Sequence, residues 1–426
     1  MWMRLAAVVA FALVPRAYAQ VPVPAVPLTL DDAIVRVALD HPELRLIDAQ
    51  RPVLEARRDA ALLRPPMQLG VELENLLGSG DARGVQGAEA TVSLSGVLER
   101  GDKLDARRML AQANIDALAP QRATARLDLL AETARRYLAV AQAQAALQIA
   151  NTDIEQRRRA VAAARLRLQA GASPESVLFT AQAMLAQAEL DRDRAIEEAS
   201  AARLSLAALW GARTPDFKAV SGDALQLPAL RDFASLNDDL QRAPELAELL
   251  GEQRIREAQL QLVRTRSRPD WSWQVGVRNS RADNATSLVG GFSIPLGSAR
   301  RAAPEIREAE ADLALLPYQR QARQQQLYAT LAEAHGRYVT ARLEVQRMQA
   351  DVLPQLQKAE RAAEQAWRAG AASYMEWAQL QAMRIESRQR QLDAAIAAQT
   401  ALIEIQRLTG QGMLATDATV AVENAR

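Results

Sequence analysis

The order of landmarks in this chain runs through twice, about 200 residues apart, and that repetition limits its fold more than any single motif does. Pro42-Glu43-Leu44 is answered by Pro244-Glu245-Leu246, Pro120 by Pro317, Gly171 by Gly370, Gln182-Ala183-Met184 by Gln381-Ala382-Met383, and Gly211 by Gly410. Each copy opens with a helical stretch, passes through two alternating, strand-like segments and closes with a very long helix and a shorter one. A unit of that length is half a molecule and not a solenoid turn. The repetition divides the chain into a first repeat at 20–211, a linker at 212–235, a second repeat at 236–410 and a C-terminal tail at 411–426.

Strands are expected at about 67–76 and 88–98, and again at about 270–278 and 288–296. Met67, Leu69, Val71 and Leu73 alternate with other residues, as do Ala88, Ala90, Val92 and Leu94. The second copy repeats this with Trp271, Trp273, Val275 and Val277, then Leu288, Gly290, Phe292 and Ile294. Period two makes one face apolar and the other polar. Each segment is about 8–11 residues, the length of a tilted strand that crosses a bilayer. Two arrangements fit: hairpins packed on the helices of a soluble domain, or strands in a membrane. In the second, two hairpins cannot close a barrel, and lipid forbids an open sheet edge, so several chains would share one barrel.

The helices favour the membrane arrangement. From about 101 to 170 the one strong breaker is Pro120, and from about 300 to 369 only Pro304, Pro317 and Pro354 interrupt. Leu127, Leu130, Ala134, Leu138, Ala141 and Ala145 recur at threes and fours, with alanines that let helices approach closely. Each stretch of about 70 residues would span roughly 105 Å. The shorter pairs, Glu43 to Arg64 with Pro174 to Trp210 and Glu245 to Arg266 with Ser373 to Thr409, stack to nearly that length. A long helix beside two stacked short ones, twice over, builds a curved wall. A soluble coiled-coil rod would not explain why both hairpins sit at the same end of both repeats.

Composition agrees with long, closely packed helices: aromatics make up only 4% of 426 residues, amid abundant Ala, Leu, Gln and Arg. Residues 1–19 read as a secretory signal, with Arg4 as the basic region, Leu5 to Val14 as the apolar region and Ala17-Tyr18-Ala19 as the cleavage site. Cleavage would remove Arg4 and Arg16 and take the formal charge from +1 to −1, a balance that gives no support to nucleic-acid binding. There is no cysteine, so packing and oligomerisation must do what disulfides do elsewhere.

The chain resembles the TolC-type outer-membrane factor family, the exit ducts of bacterial tripartite efflux pumps and type I secretion systems. The resemblance covers essentially the whole mature chain. It rests on Leu30-Asp31-Asp32-Ala33 leading into Asp40-His41-Pro42-Glu43-Leu44, and on the strand ends Leu94-Ser95 and Phe292-Ser293-Ile294-Pro295-Leu296. It rests also on the turns Gln169-Ala170-Gly171-Ala172-Ser173 and Arg368-Ala369-Gly370-Ala371-Ala372-Ser373. Glu72-Leu73-Glu74-Asn75 and Leu98-Glu99-Arg100-Gly101-Asp102-Lys103 are most similar to the CzcC-like branch, which serves heavy-metal efflux. One departure stands out: the proline usual after the second strand is Val97 here, while Pro295 keeps it in the second copy.

The resemblance implies a mainly α fold with membrane β: a long-helix α-barrel, with four strands per chain entering a shared trimeric twelve-stranded barrel in outer-membrane lipid. It implies a homotrimer that meets a periplasmic adaptor (membrane fusion) protein and an inner-membrane pump of the RND type, and conducts heavy-metal cations passively. A drug-efflux or type I secretion duct is the alternative within the family. A periplasmic helical adaptor or scaffold is the alternative of another class, against which the repeated hairpins argue.

No nucleophile motif, phosphate loop or paired-carboxylate signature points to an enzyme, and nothing calls for a cofactor. The two histidines, His41 at a helix entrance and His335 within a helix among polar neighbours, lack the company a transition-metal site needs. The candidate sites are therefore the tips, which the resemblance places at the adaptor and the pore closure. Glu376, six residues past Gly370, would form a ring of three carboxylates at a pore constriction, or serve as an ordinary helix-start glutamate. Arg165, Arg167, Gly171, Ser173, Glu175, Arg368, Gly370, Ser373 and Tyr374 are the candidates for adaptor docking. The arginines among them would equally suit the carbonyl ends of helices.

Overall fold

A computed structural model describes residues 27–412, apart from 78, 81 and 82. The expected signal segment and most of the expected tail lie outside the described residues. In the first repeat, α1 (Leu30–Asp40) and α2 (Pro42–Ala61) lead into β1 (Gln68–Glu74) and β2 (Glu89–Leu98). There follow α3 (Lys103–Asp116), α4 (Leu118–Gln169) and α5 (Glu175–Ala207). The second repeat runs α6 (Phe233–Leu240), α7 (Pro244–Thr265), β3 (Trp271–Ser280), β4 (Ala285–Ser293), α8 (Ser298–Arg347), α9 (Leu353–Arg368) and α10 (Tyr374–Thr409).

The long helices are each interrupted once, at different places. Pro120 has no N–H for the carbonyl of Asp116, and its ring crowds that carbonyl, so the first long stretch breaks at Ala117 between α3 and α4. In the second, Pro304 and Pro317 are carried inside α8, and the interruption is a π-helical turn at Met348–Val352 just ahead of Pro354. A widened turn there leaves the carbonyl before the proline room and no missing donor. The expected long helices at about 101–170 and 300–369 are thus segmented, the first near Pro120 and the second near Pro354.

The strands form one antiparallel sheet in the order β1-β2-β3-β4. Pairing aligns the apolar positions in rows, Leu69–Leu94–Val275 and Val71–Val92–Val277–Leu288, so that one face is aliphatic from edge to edge. That face lies open: Leu69, Val71, Val92, Leu94, Val275, Val277 and Leu288 are all exposed, Leu288 at 83%. β2 continues through Val97 to Leu98, whereas β4 stops at Ser293 before Pro295, because valine can extend the ladder and proline cannot. The strand ends differ accordingly from the expected 67–76, 270–278 and 288–296.

The region at 212–235 is more than a linker. Leu28 bridges Val220 in parallel, and Phe217, Val220 and Ala224 are buried. Two tyrosines hold this strap. Tyr137 of α4 donates to the carbonyl of Leu28 at 2.9 Å and lies 2.6 Å from that of Ser221, while Tyr338 of α8 donates to the carbonyl of Pro228. Separate cores form around them: Leu28, Val37, Leu129, Leu206 and Phe217 in the first repeat, and Leu236, Leu331, Ile405 and Leu408 in the second.

Candidate functional site

Two parts of the molecule leave apolar surface uncovered: the open sheet and the first of the two tips at the far end of the helices.

The polar face of the sheet is organised around Arg278. Its guanidinium reaches Glu74 at 3.0 Å and Glu89 at 3.1 Å, and Nε donates to Thr91 at 3.0 Å. Both β1 and β2 are thereby tied to β3 on the face opposite the aliphatic rows. At the helix end, Asp270 locks the corner: it accepts from the backbone N–H of Arg100 at 3.1 Å and from Lys103 at 2.7 Å. Arg107 and Glu99 add a two-pronged pair at 2.7 Å. The turn itself needs left-handed backbone at Gly101 (φ 84°) and Asp102 (φ 60°), and a Cβ at Gly101 would fall 2.4 Å from the side chain of Arg268. Both edge strands keep unpaired backbone along their outer sides.

At the tips the two turns share one geometry. Gly171 (φ 67°) and Gly370 (φ 83°) end their helices, with Ala172 N–H bonded to the Arg167 carbonyl and Ala371 N–H to that of Ala366, each at 2.8 Å. This six-to-one bond with a left-handed glycine is the Schellman closure. Above the turns, Ala160, Val161 and Ala164 of α4 and Ala181 of α5 pack against Trp367, Tyr374, Trp377 and Ala378 of α9 and α10. Trp367 and Trp377 stack at 4.9 Å between centroids, with Tyr374 edge-on to both.

Of the expected tip residues, Arg167 does the joining. Its guanidinium lies 5.3 Å from the Trp367 ring centroid and donates to the carbonyls of Trp367, Arg368 and Ala172. It therefore caps the carbonyl end of the other repeat's helix. Arg368 pairs with Glu364 at 2.5 Å, and Arg165 and Glu175 are exposed. Ser373 caps α10 by accepting from the N–H of Glu376 at 3.2 Å, and the Glu376 side chain is exposed and outside any ion pair among the described residues. Tyr374 is buried in the aromatic cluster.

Farther from the tips lies a buried polar band that sequence reasoning missed. Arg157 of α4 bonds Asp153 at 3.1 Å and reaches Gln381 of α10 at 3.5 Å. Arg384 of α10 pairs with Glu360 of α9 at 2.5 Å, both side chains 10% exposed. Burial pushes the carboxyls of Asp153 and Glu360 above their ordinary range, against the pull of Arg157 and Arg384. Gln381 carries no signal of this in the sequence: it is buried, whereas its counterpart Gln182 is exposed. Of the histidines, His41 caps α2 by accepting from Glu43 N–H at 3.3 Å, and His335 stands edge-on to Phe233 at 5.4 Å.

The sequence profile of the outer membrane efflux protein family matches residues 67–212, from β1 through α5. The cobalt-zinc-cadmium resistance protein CzcC of Cupriavidus metallidurans is 26% identical over 324 residues, 76% of this chain and 77% of that protein. Among solved structures, the CusC channel superposes with a TM-score of 0.75 at 19% identity, covering 91% of this chain and 93% of that one. The outer membrane protein VceC of Vibrio cholerae superposes at 0.72 and 16% identity, covering 90% and 97%. A repeated sheet-and-long-helix architecture, the profile match across strands, long helix and tip, and similarity over three-quarters of the chain agree: residues 67–212 match the outer membrane efflux protein family, and the fold of the chain is that of the CusC and VceC structures.

Proposed function

We propose that three copies of this chain form the exit duct of a tripartite efflux system that carries heavy-metal cations out of the cell. One observation supports the membrane part above all: an open four-stranded sheet with an exposed aliphatic face and two unpaired edges. Such a sheet is unstable in lipid unless its edges close on copies of itself, and twelve strands at the usual tilt make a barrel with an aqueous interior. The polar Arg278 face would line that interior. The cargo follows from the similarity to a cobalt-zinc-cadmium resistance protein.

In this reading an RND-type pump recognises and energises the cargo, an adaptor grips the tips, and this chain conducts. The exposed Arg165, Gly171, Glu175, Arg368, Gly370 and Ser373 would supply the docking surface, with Arg167, half-buried Ser173 and the buried Tyr374 holding its shape. Leu166 and Phe179, both more than half exposed beside the first turn, belong with that surface. Glu376 would close into a ring of three carboxylates that attracts cations at the constriction. Export would follow cleavage after Ala19.

The test is growth of a strain lacking the chain across zinc, cadmium, cobalt, copper and organic toxicants, with the intact gene returned as control. Selective sensitivity to metals, cured by the gene, is the expected result. Sensitivity confined to dyes or antibiotics would overturn the cargo and leave a drug-efflux duct. In the purified protein, a mass three times that of the chain is expected, and a monomer in every detergent would sink the shared barrel.

A further inference from the structure

The helix end of the sheet's aliphatic face is bordered by aromatic rings and then by cations that have no acid. Trp271 and Phe292 meet edge-to-face at 5.3 Å, on the same face as Leu98 and Val275. The guanidinium of Arg100 sits 4.0 Å from the Trp271 ring centroid. Arg100 follows Leu98 at the spacing that keeps it on this outward face, and it is exposed.

The Arg100 side chain has no acidic partner among the described residues. Neighbouring charges are paired: Lys103 with Asp270, Arg107 with Glu99, Arg268 with Asp102. Asp270, the nearest acid by sequence contact, spends its carboxylate on Lys103 and on the backbone N–H of Arg100, and the Arg100 side chain makes no hydrogen bond or ion pair among the described residues. A guanidinium lying on an indole uses its face for the ring and keeps its in-plane N–H donors, in the fork that fits two oxygens of a phosphate. At the same end of the sheet, Arg300 in the first turn of α8 is exposed and likewise unpaired, next to Leu296, which is 83% exposed.

We infer that Arg100, seated on Trp271, binds the phosphate of an anionic glycerophospholipid in the periplasmic leaflet, whose acyl chains lie along Leu98, Phe292 and the aliphatic rows. The inference rests on the reading of this sheet as the membrane part of the protein. Aromatic rings at this level mark the boundary between hydrocarbon and headgroups, and arginines just beyond it meet phosphate. A net negative headgroup suits two unpaired cations, whereas the ammonium of a zwitterionic lipid would face both.

The test uses the full-length protein in vesicles of equal parts phosphatidylglycerol and phosphatidylcholine, excised with polymer into discs and assayed for lipid. For wild type, the ratio of phosphatidylglycerol to phosphatidylcholine in the discs should exceed that of the vesicle, with a preference of about fivefold at the bound site at low salt, the effect expected of a cation at a membrane surface. Arg100→Gln should abolish most of that excess, and Arg100→Lys should restore only part, because an ammonium lacks the fork. Wild-type discs with the bulk lipid ratio would overturn the inference without any variant, as would an unchanged excess in Arg100→Gln; either result leaves the membrane reading standing. A protein that enters no vesicle would instead remove the membrane reading, and the inference with it.

Discussion

The two tips share a backbone and differ in almost everything hung on it. Shifting the first repeat by 199 positions places Gly171 on Gly370, and the closing hydrogen bonds correspond one for one. Leu168 then corresponds to Trp367, Glu175 to Tyr374, Leu178 to Trp377, and the pair Val161 and Leu185 to Glu360 and Arg384. The first tip therefore has an aliphatic, partly open surround, with Leu166 and Phe179 exposed. The second has an aromatic knot and a buried ion pair. A duplicated fold needs the turn twice but not the packing twice: one copy holds the two hairpins together, and the other keeps an open apolar surround.

That division is sharpest at Trp367. Its ring contacts Tyr374, Trp377 and the Arg167 guanidinium together. Trp367→Ala should cost about 3–5 kcal/mol in local opening, as large aromatic deletions in a packed site do. Hydrogen exchange of the solubilised protein would read this as faster opening across both tips. Leu168→Ala, the counterpart, should cost far less and stay confined to its own hairpin. Equal effects would remove the asymmetry.

The ion pair gives the second contrast. Arg384→Met leaves Glu360 buried and charged, and should cost about 3 kcal/mol at neutral pH. Burial already holds the Glu360 carboxyl above the ordinary glutamate range, and losing the cation raises it further. A carboxyl with a raised folded value takes up its proton more readily when folded, so stability is greater below that value and falls as pH rises through it. Acidification should therefore rescue Arg384→Met toward wild type, and a deficit that does not shrink would count against the burial account. The double change Glu360→Val with Arg384→Leu copies the first repeat and should be close to neutral.

How much of this was legible follows the same division. Features that repeat with a period showed themselves: the alternating rows from Leu69 to Leu288, the helical seam through Leu130 and Ala134, and the two glycine turns. Features that depend on one repeat touching the other did not. Nothing local marks Arg167 as the cap of a helix about 200 residues away, because its role is set by where the Trp367 carbonyl ends up. Gln381 reads like any helix-surface glutamine until α4 brings Arg157 against it. Tyr374 adjoins the turn and so looks like a docking residue in the sequence, but the spacing of Trp367, Gly370, Tyr374 and Trp377 sets three rings on one side of a closing hairpin. Segmentation of the long helices was visible in Pro120 and Pro354, although which prolines would break and which would be absorbed was not.

Arg167 tests the link itself. Arg167→Met removes the donors to Trp367 and Ala172 while keeping an unbranched side chain against the ring. The half-buried site and backbone acceptors suggest a loss of about 1–2 kcal/mol. Exchange should quicken at the second turn, around Ala369 to Ala371, although the substitution lies in the first repeat. A loss confined to 165–173 would mean that the arginine serves its own turn only.

The smallest effect is expected where the tips are alike. Gly171 and Gly370 both hold positive φ, and a Cβ would meet nothing within 4 Å at Gly171 and only the far end of Arg167, at 3.9 Å, at Gly370. Alanine at either place therefore carries the cost of left-handed backbone and little else, about 1–2 kcal/mol. Gly171→Ala and Gly370→Ala should slow neither assembly nor export much, and should raise exchange equally in their own turns. If Gly370→Ala proved several times worse, the aromatic knot would be imposing its geometry on the second turn, and the shared backbone of the two tips would be a result of packing as well as of sequence.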